Sequence, residues 1–130
     1  WDHWLSFAQR SDNLPDIFHI NWFRQDENGQ FLWPGFGENL RVLRWIIDRC
    51  NDRANAVATP IGHLPTPSDI DTSGLSITEE TMQALLSVNT EQWQAEMDSV
   101  SEYLESYGDR LPSALRKECD EVIQNLQEAQ

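Results

Sequence analysis

The sequence is poor in the residues that carry most chemistry. Its 130 residues include a single lysine, Lys117, two cysteines and three scattered histidines. There is no GxxxxGK[ST], so no phosphate-cradling loop of that kind lies within it. Cys50 and Cys119 have no CxxC partner, and His3, His19 and His63 have no carboxylate or cysteine at metal-ligand spacing, so no metal ligands are expected. Both thiols fall on apolar faces of predicted helices and read as core residues in a reducing compartment. His19, between Phe18 and Ile20, reads as a hydrogen-bonded structural histidine. No Ser/His/Asp or Cys/His set can be assembled, so no catalytic residue is assigned and the chain by itself is expected to be inactive.

Long apolar runs are missing too. None approaches the roughly 20 residues that span a bilayer, and no basic-then-apolar start marks a secretory signal, so no membrane partner is expected. The first residue is Trp1, and Trp4, Leu5 and Ala8 already follow helical spacing, which gives the expectation of a piece taken from a longer protein. Bases are scarce: 22 acidic residues face 9 basic ones, for a net charge of −13. The excess sits in residues 51–130, with a net of −11 against −2 in residues 1–50. A surface that negative repels phosphate backbones, which excludes nucleic acid as a partner. The second half reads as a solvated acidic helical surface.

Rings, by contrast, are plentiful. Thirteen aromatics, six of them tryptophan, argue for a folded core. Residues 1–10 read as a short helix. Residues 17–23 (IFHINWF) are the main strand candidate, with Phe18, Ile20 and Trp22 on one face and Ile17 and Phe23 on the other, a pattern that suits burial on both sides. No strong second strand follows, so an isolated chain is expected to self-associate through this run. Residues 26–29 form a turn with Asn28-Gly29 as the φ > 0 pair. A helix is predicted over 38–50, with Leu40, Leu43, Ile47 and Cys50 as its apolar stripe and Arg41, Arg44, Asp48 and Asn51 opposite.

Residues 51–75, rich in proline and glycine, read as a surface connection. Ser76 and Glu79 suggest a capping box for a short helix ending at Leu86. Asn89 is a good N-cap for a helix running to Gly108, and Pro112 suits the start of the last one. Trp93, Met97, Val100, Leu104 and Tyr107 share a spacing with Leu115, Cys119, Val122, Leu126 and Ala129, which predicts an antiparallel helix pair packed along that seam. The expected fold is α+β and mostly helical, with residues 1–50 holding the strand, a ring-rich loop and a helix, and 76–130 an acidic helical tail.

The chemistry-bearing stretch is Asn21-Trp-Phe23 followed by Phe31-Leu-Trp-Pro-Gly-Phe-Gly-Glu-Asn39. Five rings, Trp22, Phe23, Phe31, Trp33 and Phe36, lie in this short run. A hydrophobic mini-core under the loop is one reading. A slot for a flat base is the other. Aromatic stacking supports a base by roughly 1–3 kcal/mol per ring. Gly35 and Gly37 admit close backbone approach, a helix N-terminus offers free N–H donors, and the Asn39 amide can donate and accept toward a purine edge. A quaternary-ammonium cage and a non-enzymatic acidic helical interaction module, with its rings as core or peptide groove, are the rival classes.

FLWPGFGEN, preceded by NWFR, resembles the C-terminal signature of GTP-dependent phosphoenolpyruvate carboxykinases. The similarity extends through Arg41-Val-Leu43, Trp45, Thr59-Pro-Ile-Gly62, the Trp93 helix, Leu111-Pro112 and the opening His3-Trp4-Leu5, and so covers nearly the whole chain. The resemblance implies a cytoplasmic, two-domain lyase of gluconeogenesis that converts oxaloacetate and GTP to phosphoenolpyruvate, CO2 and GDP with Mn²⁺ and Mg²⁺. It matches Trp22, Phe23, Phe31, Phe36, Gly37, Glu38 and Asn39 to the guanine pocket, with Phe23 and Phe36 as the sandwich. ITP is implied as a substitute for GTP. The phosphate loop, metal ligands and substrate arginines would belong to the rest of the parent chain.

Overall fold

Capping chemistry and helical apolar spacing recur along the sequence, and the computed structural model, which describes residues 1–129, is accordingly mostly helical with one small sheet. In chain order it contains α1 (Asp2–Leu5), α2 (Asn39–Cys50), β1 (Val57–Thr59), β2 (Gly62–Leu64), α3 (Glu79–Leu86), α4 (Thr90–Glu105) and α5 (Ser113–Glu128). Short 3₁₀ turns occupy Ser6–Gln9, Phe36–Glu38, Pro67–Asp69 and Gly108–Arg110. The chain divides into two compact units, one of Asp16–Ser87 and one of Trp1–Pro15 with the chain from Val88 on.

In the latter unit the seam expected from spacing is the one that forms. The Asn89 Oδ1 accepts the Gln92 N–H at 2.9 Å and starts α4, while Pro112 sits immediately before α5 with its ring fixing φ at −60°. Helices α4 and α5 pack on each other through Met97, Cys119 and the fully buried Leu126, flanked by half-buried Trp93, Val100, Leu104, Tyr107, Leu115 and Val122. Ala129 alone of the predicted stripe is exposed. A leucine buried to this degree contributes about 1.5–3 kcal/mol. Burial also pushes the Cys119 thiol pKa up, as befits an inert core cysteine. At the start of the chain the predicted helix over 1–10 is α1 followed by a 3₁₀ turn, with the Trp1 ring edge-on to Tyr107 at 4.5 Å.

The Asp16–Ser87 unit has its core at Trp33, Trp45, Ile70 and Met82, with Phe18, Trp22, Val42, Ile46 and Ile77 packed around it. Several expectations are corrected here. Residues 17–23 form no strand: a strand exists only against a partner, and none of the described residues pairs with them. Phe18 and Trp22 turn into the core, whereas Ile17 is 92% exposed and His19 is exposed rather than held as a structural histidine. On α2 the inward stripe is Val42, Trp45 and Ile46, not Leu40, Leu43, Ile47 and Cys50, which are all exposed. Both stripes are apolar, and the large Trp45 decides between them, its indole N–H reaching the Asn55 carbonyl at 3.3 Å.

The stretch 51–75 is also more ordered than expected. It carries the antiparallel hairpin β1–β2, in register Val57↔Leu64 to Thr59↔Gly62, and delivers Ile70 to the core. Gly62 has φ of +120°, which the tight hairpin requires of a residue without a Cβ. The cap of α3 is Thr78, whose Oγ1 accepts the Thr81 N–H at 3.2 Å, rather than Ser76.

Candidate functional site

The ring-rich stretch is built outward from the buried Trp33 and the half-buried Trp22. Trp33 is 6% exposed and packs beside Trp22 with ring centroids 6.2 Å apart and planes tilted by 45°. An indole N–H placed under a loop needs an acceptor. Here Trp33 Nε1 donates to Asn39 Oδ1 at 2.9 Å, tying the loop to the first residue of α2.

Next to this base the chain turns sharply. The Asn21 side chain accepts the Phe23 N–H at 2.9 Å, an Asx turn that leaves Phe23 72% exposed. A tight hairpin follows: Leu32 N–H donates to the Arg24 carbonyl, and Gln25 bridges to Phe31. At its tip Asp26 Oδ1 accepts the N–H groups of Asn28 and Gln30, both at 2.9 Å, and Gly29 alone takes the positive φ, at +75°, so the predicted Asn28-Gly29 pair is corrected to one residue. The Gln30 N–H, with that of Asn28, holds the Asp26 carboxyl below the usual carboxylate range. This hairpin brings Phe31 edge-on to Phe23 at 6.0 Å. The Arg24 guanidinium anchors it by donating to the carbonyls of Leu85 and Ser87, both at 3.1 Å, and to Ser87 Oγ at 2.9 Å, where it closes the C-terminal end of α3.

Phe36 follows Gly35, whose φ of +122° only glycine adopts easily. It is 90% exposed and forms no ring pair among the described residues, while Phe23 has only Phe31 edge-on to it. Gly37 is different in kind. Its φ is not positive, and no atom lies within 4 Å of where a Cβ would sit, so the fold itself does not require glycine there. The N-terminus of α2 has no side-chain cap, but the free N–H donors expected there are not found: the helix continues from the Phe36–Glu38 turn, so Glu38 N–H donates to the Gly35 carbonyl at 3.1 Å and Asn39 N–H to the Phe36 carbonyl. Glu38 is held by Arg41 Nε at 2.7 Å, and Arg41 in turn donates to the Asp71 carbonyl at 2.8 Å.

The five rings therefore split. Trp22 and Trp33 belong to the core, while Phe23, Phe31 (58% exposed) and Phe36 stand outside it. Trp33, Asn21 and Arg24 were not among the residues assigned to the site from sequence, yet they position those that were. Only Asn21 left a readable signal, an Asn two residues before a turn. Arg24 is turned to the C-terminal end of α3 and Arg41 to Glu38 and Asp71, and no group of three or more His, Cys, Asp or Glu side chains able to hold a metal exists among the described residues. The arrangement suits a flat, neutral, polar-edged ring and not a phosphate chain.

Comparison with known proteins agrees on one family. Residues 1–125 match the model of the phosphoenolpyruvate carboxykinase C-terminal P-loop domain. The chain is similar to the phosphoenolpyruvate carboxykinase [GTP] of Chlamydia muridarum, at 46% identity over 97% of its length, and to that of Neocallimastix frontalis, at 46% over 98%. The enzyme of the same name from an Arthrobacter strain is 41% identical over 95% of the chain. In each case the chain spans 21% of the relative's own length.

Proposed function

The chain belongs to the GTP-dependent phosphoenolpyruvate carboxykinase family, within that family's C-terminal P-loop domain, and we propose that it supplies the guanine-base pocket of its parent enzyme. The parent would be a cytoplasmic carboxy-lyase of gluconeogenesis, converting oxaloacetate and GTP to phosphoenolpyruvate, CO2 and GDP. Mn²⁺ and Mg²⁺ would serve that reaction, but the residues described here do not fit either ion, so their ligands belong to the remainder of the parent. The phosphate-binding loop belongs there as well, since this sequence has no such motif. Alone, the chain binds no metal, positions no phosphoryl group and has no turnover.

The observation that carries this reading is the trio of exposed phenylalanines in the stretch whose core side is the Trp22–Trp33 pair, beside a glycine that the fold does not need. Covering Phe23 and Phe36 with a base removes apolar surface from water and adds stacking. Gly37 lets the backbone approach the base edge, and the Asn39 side-chain amide supplies a polar partner. A free-standing interaction module is not supported: the three relatives named above all carry the name of the GTP enzyme.

Kinetics of Phe36→Ala in the intact parent test the proposal. Loss of one stacking ring, roughly 1–3 kcal/mol, should raise KM for GTP by about 5- to 150-fold and leave the oxaloacetate dependence nearly unchanged. Equal damage toward both substrates would contradict a base-stacking role.

A further inference from the structure

The hydrogen bond between Trp33 and Asn39 does more than tie the loop down. A carboxamide has two nearly isosteric ends, one accepting and one donating, and either can face a ligand. Indole nitrogen is a donor only. With Trp33 Nε1 2.9 Å from the Asn39 side chain, the end facing the indole has to be the oxygen, and covalent geometry sends the NH2 group to the other corner of the amide plane. No other hydrogen bond of the Asn39 side chain is made among the described residues, so its two N–H donors and the second lone pair of Oδ1 stay available.

We infer that Trp33 is a specificity-determining residue: by fixing the Asn39 amide in one orientation, it makes the site accept a 6-oxopurine and reject adenine. This rests on the reading of the stretch as a base slot. Guanine and hypoxanthine present an acceptor at O6 and a donor at N1–H, which complement an amide that offers NH2 and a spare lone pair. Adenine presents the reverse, a 6-amino donor and an N1 acceptor. An amide free to rotate could serve either purine; one locked by an indole cannot, and a misoriented pair leaves buried polar groups unmatched. Trp33 is buried, so it acts through Asn39 and is a positioning residue.

The test uses the intact parent enzyme carrying Trp33→Phe, which keeps an aromatic ring in the core and removes the N–H. The readout is kcat/KM for GTP, ITP and ATP. The ratio of GTP to ATP should fall about tenfold, with ITP tracking GTP, because the released amide can turn its oxygen to the 6-amino group. An unchanged ratio, or a uniform fall for all three nucleotides, would overturn the inference, since a merely structural role predicts no change in preference. If Trp33→Phe does not fold, site-specific incorporation of 3-benzothienylalanine at position 33 keeps the bicyclic ring and replaces only the N–H, with the same outcomes. Phe36→Ala assayed alongside separates the two claims. An unchanged GTP KM in that variant sinks the base slot itself. A raised GTP KM there, with an unchanged GTP-to-ATP ratio in Trp33→Phe, sinks only the role of Trp33.

Discussion

Asp48, on α2, accepts Arg44 Nε at 2.7 Å and Arg53 at 3.1 Å (Nε) and 2.9 Å (Nη2), joining the helix to the turn that follows it. Arg44 first, then Arg53, holds its carboxyl below the ordinary range. A depressed carboxylate pKa stabilises the fold above the unfolded value of about 4, and the contribution disappears as pH falls through the lower folded value. Asp48→Asn should therefore melt below the wild type near pH 7, with the gap closing as pH drops below about 4. Thermal melts across that range check it; a gap that persists in strong acid would mean that the carboxylate's charge is not what matters. The same scale shows what the sequence could reveal about the site. That five rings crowd one short run is plain from residue order. Which of them are core is not, because that depends on the Trp33 indole finding Asn39 and on Trp22 packing beside it, contacts set by three-dimensional approach.

Elements were legible where local chemistry decides them. Asn89 and Pro112 mark helix starts through a cap and a fixed φ, and the α4–α5 seam follows from spacing alone. Three-residue strands such as β1 and β2 are too short for an alternating pattern to show. The face of α2 was ambiguous for the opposite reason: it has two apolar stripes, and only tertiary packing selects Trp45. Residues 17–23 are the instructive failure. Their β-branched and aromatic content has strand propensity, but propensity without a partner gives no ladder, and Ile17 is left in water. Unpaired backbone beside an exposed apolar residue favours intermolecular pairing. The isolated chain is expected to self-associate as its concentration rises through the micromolar range, with amides of 17–23 gaining exchange protection in step. A monomer at every concentration in sedimentation would contradict that expectation.

At the scale of the whole molecule, charge and family point the same way. A net charge of −13, concentrated after residue 50, repels polyanions, while the ring-rich stretch lies in the more nearly balanced first part and has no free cation of its own. A site of that character suits the base of a nucleotide whose phosphates are held elsewhere. The family membership, shown over residues 1–125, gives that division of labour a parent in which to operate. Photolabelling the intact parent with 8-azido-GTP and mapping the modified peptide tests this most directly. The label should fall within residues 21–39 and be displaced by GTP but not by equal ATP. Labelling that GTP displaces, yet that maps wholly outside this stretch, would place the base somewhere else and contradict the guanine pocket proposed here.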